Sequence, residues 1–69
     1  MQLIDLRIKA LASVGINVAD HSSSEWLQLA LDIEKDKINC GPFDPAFEWL
    51  SRRQKYYEDA AAIAELQGR

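Results

Sequence analysis

The chain has 69 residues, of which 48% are apolar, and 11 acidic against 8 basic side chains give a formal charge of −3. That is enough apolar material for a folded chain but room for no more than one domain, so we expect a single helical domain over residues 1–69. A mild acidic balance argues against nonspecific attachment to nucleic acid or anionic lipid, both of which demand excess Lys and Arg, and it is too weak for a DNA mimic. The single Cys40 excludes an internal disulfide, and no run approaches the roughly 18 apolar residues of a membrane span. Met1 to Arg7 carries charges inside its apolar run and has no cationic lead, unlike a secretory signal. The expectation from these features is a soluble, cytoplasmic protein. Its small size without staples favours oligomerisation or docking on a partner.

The first element, 3–13, admits two readings. Ile4, Leu6, Ile8 and Ala10 alternate with charged residues as in a strand, yet a helix gathers Ile4, Ile8, Leu11 and Ala12 on one side, extended by Leu3, Leu6 and Ala10. Gly15 followed by Ile16 has the form of a helix C-cap with an apolar residue folding back, which decides for helix. Asn17 to His21 is a connection. Ser22 and Glu25 then form a capping box that starts a second helix over 23–37. Trp26, Leu27, Leu29, Ala30, Leu31 and Ile33 cover about half its circumference, as for a helix buried between two neighbours. It fades through Glu34 to Lys37, and residues 38–43 are expected to turn at Gly41-Pro42.

Asp44 as N-cap and Pro45 at the first helical position open a third and longest helix, 45–67. On a helical wheel Phe47, Leu50, Tyr57, Ala61 and Ala64 make one stripe, and Trp49, Tyr56, Ala60 and Ile63 a second beside it. Glu48–Arg52 and Lys55–Asp59 are opposite charges one turn apart. One stripe suffices to pack the first two helices and leaves the other over. Trp, Tyr and Arg are the residues enriched where interfaces draw their energy, and Arg53 can lie between the faces of Trp49 and Tyr57. The alanines from Ala60 to Ala64 let another helix approach closely. If two short helices cover both stripes, these aromatics are instead core.

The chemistry-bearing residues do not assemble into a site. Asp20-His21-Ser22 are adjacent and cannot converge as a hydrolytic triad must. His21 precedes the N-cap with Trp26 at the fourth helical position, the spacing of a staple across the helix start. One His and one Cys fall short of a zinc set, so no metal or cofactor is expected. Cys40, with no second His to activate it, reads as a small packing residue. Asp32, Glu34 and Asp36 are two apart and fall on different helix faces, and the three glycines make no phosphate loop. Nucleic acid is the main rival: residues 11–16 with the second helix loosely suggest a helix-turn-helix, but that helix starts without Arg or Lys. Arg52, Arg53 and Lys55 beside Tyr56 and Tyr57 could hold a single strand, although Glu48, Glu58 and Asp59 weaken the field.

The sequence therefore predicts an all-α, three-helix chain that dimerises through its third helix, with Leu50, Ala60, Ile63 and Ala64 at the seam. Its expected function is non-enzymatic and stoichiometric: binding a larger regulatory protein or enzyme as an inhibitor, anti-activator or adaptor. Trp49, Arg53, Tyr56 and Tyr57 are the expected anchors, with Arg52 steering from the rim.

Overall fold

The computed structural model describes residues 3–68. Met1 and Gln2, part of the N-terminal stretch read above as non-secretory, lie outside them. Among the described residues the chain is all-helical: α1 (Leu3–Ser13), a single 3-10 turn (Val18–Asp20), α2 (Ser23–Cys40) and α3 (Pro45–Leu66). No helix among them is long and apolar enough to cross a membrane.

The helix ends follow the local chemistry. Gly15 takes φ +83°, its N–H donates to the Ala12 carbonyl at 3.0 Å, and the Ile16 N–H donates to the Leu11 carbonyl at 2.9 Å. This is a Schellman ending, and its apolar pair, Leu11 and Ile16, is buried at 3% exposure each. The capping box forms as well. The Glu25 N–H donates to Ser22 Oγ at 3.3 Å, and the Ser22 N–H donates to Glu25 Oε1 at 3.1 Å. That backbone donor, then the Ser22 hydroxyl and His21, hold the Glu25 carboxyl below its ordinary pKa. Asp44 accepts from the Ala46 N–H at 2.9 Å and Pro45 opens α3.

Two boundaries differ from expectation. Residues 38–40 belong to α2, because the charged run 34–37 does not stop a helix; Gly41, at φ +84° ahead of Pro42, does. α3 ends at Leu66 with Gln67 as cap, within ordinary fraying of a helix end.

α2 and α3 form a tight antiparallel hairpin. α1 runs back along α3: its start lies beside Ala62, Ile63 and Leu66, and the residue after its end, Val14, meets Arg53. Between these elements sits one core of Leu11, Ile16, Val18, Trp26, Ala60, Ala61, Ile63 and Ala64, with Ile4, Ile8, Val14, Leu29, Tyr56 and Tyr57 packed on it. Trp26 is its hub. Its indole N–H donates to the Val18 carbonyl at 3.1 Å, His21 meets its edge at 4.7 Å, and Tyr57 lies over it at 5.7 Å. The His21–Trp26 contact is the staple expected from their spacing.

The covered faces are narrower than the sequence suggests. Leu3 and Leu6 of α1 are 68% and 51% exposed, and Ala10 and Ala12 also face water. α2 packs principally on α3, so the two-neighbour burial expected of it is met on one side only.

The C-cap gives a direct check. Space around Gly15 is open, so a methyl group there meets no neighbour and only the backbone is strained. Gly15→Ala is expected to cost about 1 kcal/mol in urea unfolding, with the helical circular dichroism of the folded state unchanged.

Candidate functional site

α3 has 22 residues and α1 has 11, so α1 can flank only about half of it. In the covered half Ala60, Ala61, Ile63 and Ala64 are sealed, at 0%, 3%, 1% and 0% exposure. This corrects the dimer seam read from the sequence: Ala60, Ile63 and Ala64 are interior residues of the single chain. The helices that approach closely over these alanines are the chain's own. Leu50, the fourth seam residue, is half-buried along the stripe that carries Phe47 and Tyr57 toward α2.

Beyond the end of α1 the same face of α3 continues uncovered. Trp49 is 61% exposed there. With Arg52, Arg53, Tyr56 and Val14 it lines an open cleft of about 280 Å³. The structure thus brings together four of the five residues picked out as partner-binding. Val14 was missed, because no periodicity in the sequence ties the residue after α1 to the middle of α3.

Arg53 organises the cleft. Its guanidinium lies 5.9 Å from the centroid of Trp49 and 5.5 Å from that of Tyr57, the expected two-ring arrangement. Its Nη1 also donates to the Val14 carbonyl at 3.4 Å, joining the end of α1 to α3. Tyr57, the fifth residue, stands behind Arg53 with its ring on Trp26, and so supports the cleft from the core side. Arg52 Nη2 donates to Glu48 Oε1 at 2.8 Å; both side chains are largely exposed, and such a pair orients more than it stabilises. Lys55 and Asp59, at the same spacing, do not close into an ion pair. On the α2 side, Lys37 Nζ donates to Gln54 Oε1 at 2.9 Å and lies 5.0 Å from the Phe47 ring centroid, tying the open half of α3 to the end of α2.

Elsewhere the structure keeps reactive groups apart. His21 and Cys40 lie at opposite ends of α2, and no three metal-binding side chains converge among the described residues. Partial burial, then the nearby Asp44 carboxylate, push the Cys40 thiol above its ordinary pKa, which disfavours the thiolate. A second, more apolar cleft of about 270 Å³ lies at the other end of α3, between Leu3, Ile4, Arg7, Ala62, Ile63 and Leu66. No protein-family model, curated protein or solved structure matches the chain.

The two tryptophans separate core from cleft. Trp26→Ala opens a cavity and orphans the Val18 carbonyl, an expected loss of about 3–5 kcal/mol that is enough to unfold a chain this small. Trp49→Ala gives up one exposed cation–π contact and is expected to cost less than about 1 kcal/mol. Thermal unfolding followed by circular dichroism measures both.

Proposed function

We propose that the chain is a non-enzymatic binding module that docks stoichiometrically on a larger regulatory protein or enzyme, as an inhibitor, anti-activator or adaptor. The cleft at Val14, Trp49, Arg52, Arg53 and Tyr56 is the docking site. One observation carries this reading: Trp49 stands 61% exposed at a preformed cleft, with its ring already braced by Arg53. A large, rigid aromatic held in place loses little freedom on binding, which is what makes such residues energetic centres of interfaces. Arg53 is committed to two rings and a carbonyl, and Arg52 to Glu48. That engagement favours a protein partner over a phosphate backbone, which needs free cations. The same reading keeps a homodimer as the working assembly, formed by a surface other than the closed seam on α3.

The test uses immobilised wild-type chain, Trp49→Ala and Tyr56→Ala in extract of the source cell, beside retention on single-stranded DNA at rising salt. The expected outcome is a protein retained in equal stoichiometry by the wild type and lost from both variants, whose helical signal persists. Equal retention by wild type and variants removes the cleft from the function. Salt-sensitive retention on DNA that depends on Arg52 and Arg53 replaces this reading with nucleic-acid binding.

A further inference from the structure

We infer that the Trp49 cleft takes a segment of its protein partner in which one carboxylate stands beside one large apolar side chain. The inference rests on the docking reading above and adds the chemistry of what docks.

The lining divides into two kinds of surface. Val14 and the rings of Trp49 and Tyr56 supply apolar wall, and Arg52 and Arg53 supply the only charges. No carboxylate lines the cleft, although the chain as a whole carries −3. The volume of about 280 Å³ falls below the roughly 300–1,000 Å³ of small-ligand pockets and suits one large side chain. An apolar side chain held there covers the exposed Trp49 ring and displaces water from it.

Charge complementarity fixes the second group. Arg53 has no carboxylate partner among the described residues; its contacts are the two rings and the Val14 carbonyl. Arg52 makes a single hydrogen bond to Glu48, between side chains 70% and 74% exposed, and such pairs are weak. The rest of its guanidinium fork is unused, and a planar fork matches the two oxygens of a carboxylate. One incoming carboxylate is met by that fork with Arg53 still on its rings, whereas a run of phosphates needs several free cations. Glu48 is then a built-in competitor for Arg52. The attraction is local, because at physiological salt charges more than about 8 Å away across solvent are largely screened. Acidic residues elsewhere on the chain therefore do little to oppose it.

The experiment titrates the full chain with acetyl-Ala-Leu-Glu-Phe-Ala-amide, with its Gln and Lys counterparts at the central position, and with oligothymidylate. Heteronuclear NMR follows the Trp49 indole N–H and the Arg52 and Arg53 side-chain N–H signals. The Glu peptide is expected to bind at the cleft about fivefold or more tighter than the Gln peptide, and the Lys peptide more weakly than either. Arg52→Gln is expected to bring the Glu peptide down to the Gln level and to leave the Gln peptide unchanged. Glu48→Gln removes the competitor and is expected to tighten the Glu peptide about twofold. Glu58→Gln makes the same charge change at an exposed site half a turn round α3 from Trp49, and is expected to have no effect. Equal binding of the Glu and Gln peptides at the cleft overturns the carboxylate and leaves the docking reading intact. Shifts from no peptide overturn the inference alone, since the docking reading stands on capture from extract. Cleft shifts from oligothymidylate without any from the Glu peptide overturn both.

Discussion

The rest of the molecule depends on a mismatch of length. A helix of 22 residues extends about 33 Å, and one of 11 residues about 16 Å. α1 can therefore shield only one end of α3, and the Schellman turn at Gly15 fixes where that shielding stops. Beyond it the chain folds back through Ile16 and Val18 beneath the Trp26 indole, whose N–H holds the Val18 carbonyl. The Val18 carbonyl is thereby satisfied beside the core, and no side-chain polar atom among the described residues is left buried without a partner. α3 emerges with one sealed half and one open half.

That division gives the two halves separate work. In the sealed half Ala60, Ala61 and Ala64 have no bulk to offer, so neighbouring backbones approach closely and Ile63 is enclosed almost completely, at 1% exposure. In the open half the same helical face carries Trp49, Arg53 and Tyr56, side chains that α1 is too short to cover fully. Arg53 links the halves, since one guanidinium touches the Trp49 ring, the Tyr57 ring and the carbonyl at the end of α1. A docking surface built this way is stiff without being buried, and stiffness is what lowers the entropic cost of association.

Features set by neighbouring residues were legible in the sequence: the Ser22–Glu25 box, the Gly15–Ile16 ending, the His21–Trp26 staple, and Arg53 between two rings. Each depends on contacts within a few residues, where helical geometry leaves little choice. Features set by the relative position of whole helices were not. A helical wheel gives the angle of a side chain around its axis but not the height at which a neighbouring helix stops. The surplus on α3 therefore read as a second stripe running its full length, and Ala60, Ile63 and Ala64 read as a seam. In the fold the exposed part of that second stripe is confined to the Trp49 end. A further surplus lies on α2, where Leu27 and Leu31 were expected to meet a second neighbour and Ile38 was expected in the turn. Val14 entered the cleft for the same reason: only the packing of α1 on α3 brings it there.

The measurement that tests the half-sealed helix most directly is residue-resolved amide hydrogen exchange along α3 of the free chain. The expected result is a gradient, with the slowest exchange at Ala60, Ala61, Ile63 and Ala64 and protection falling steadily through Arg53 toward Trp49. Equal protection along the whole helix would contradict it, because the Trp49 end would then be as firmly packed as the core and could not be the open half of the molecule.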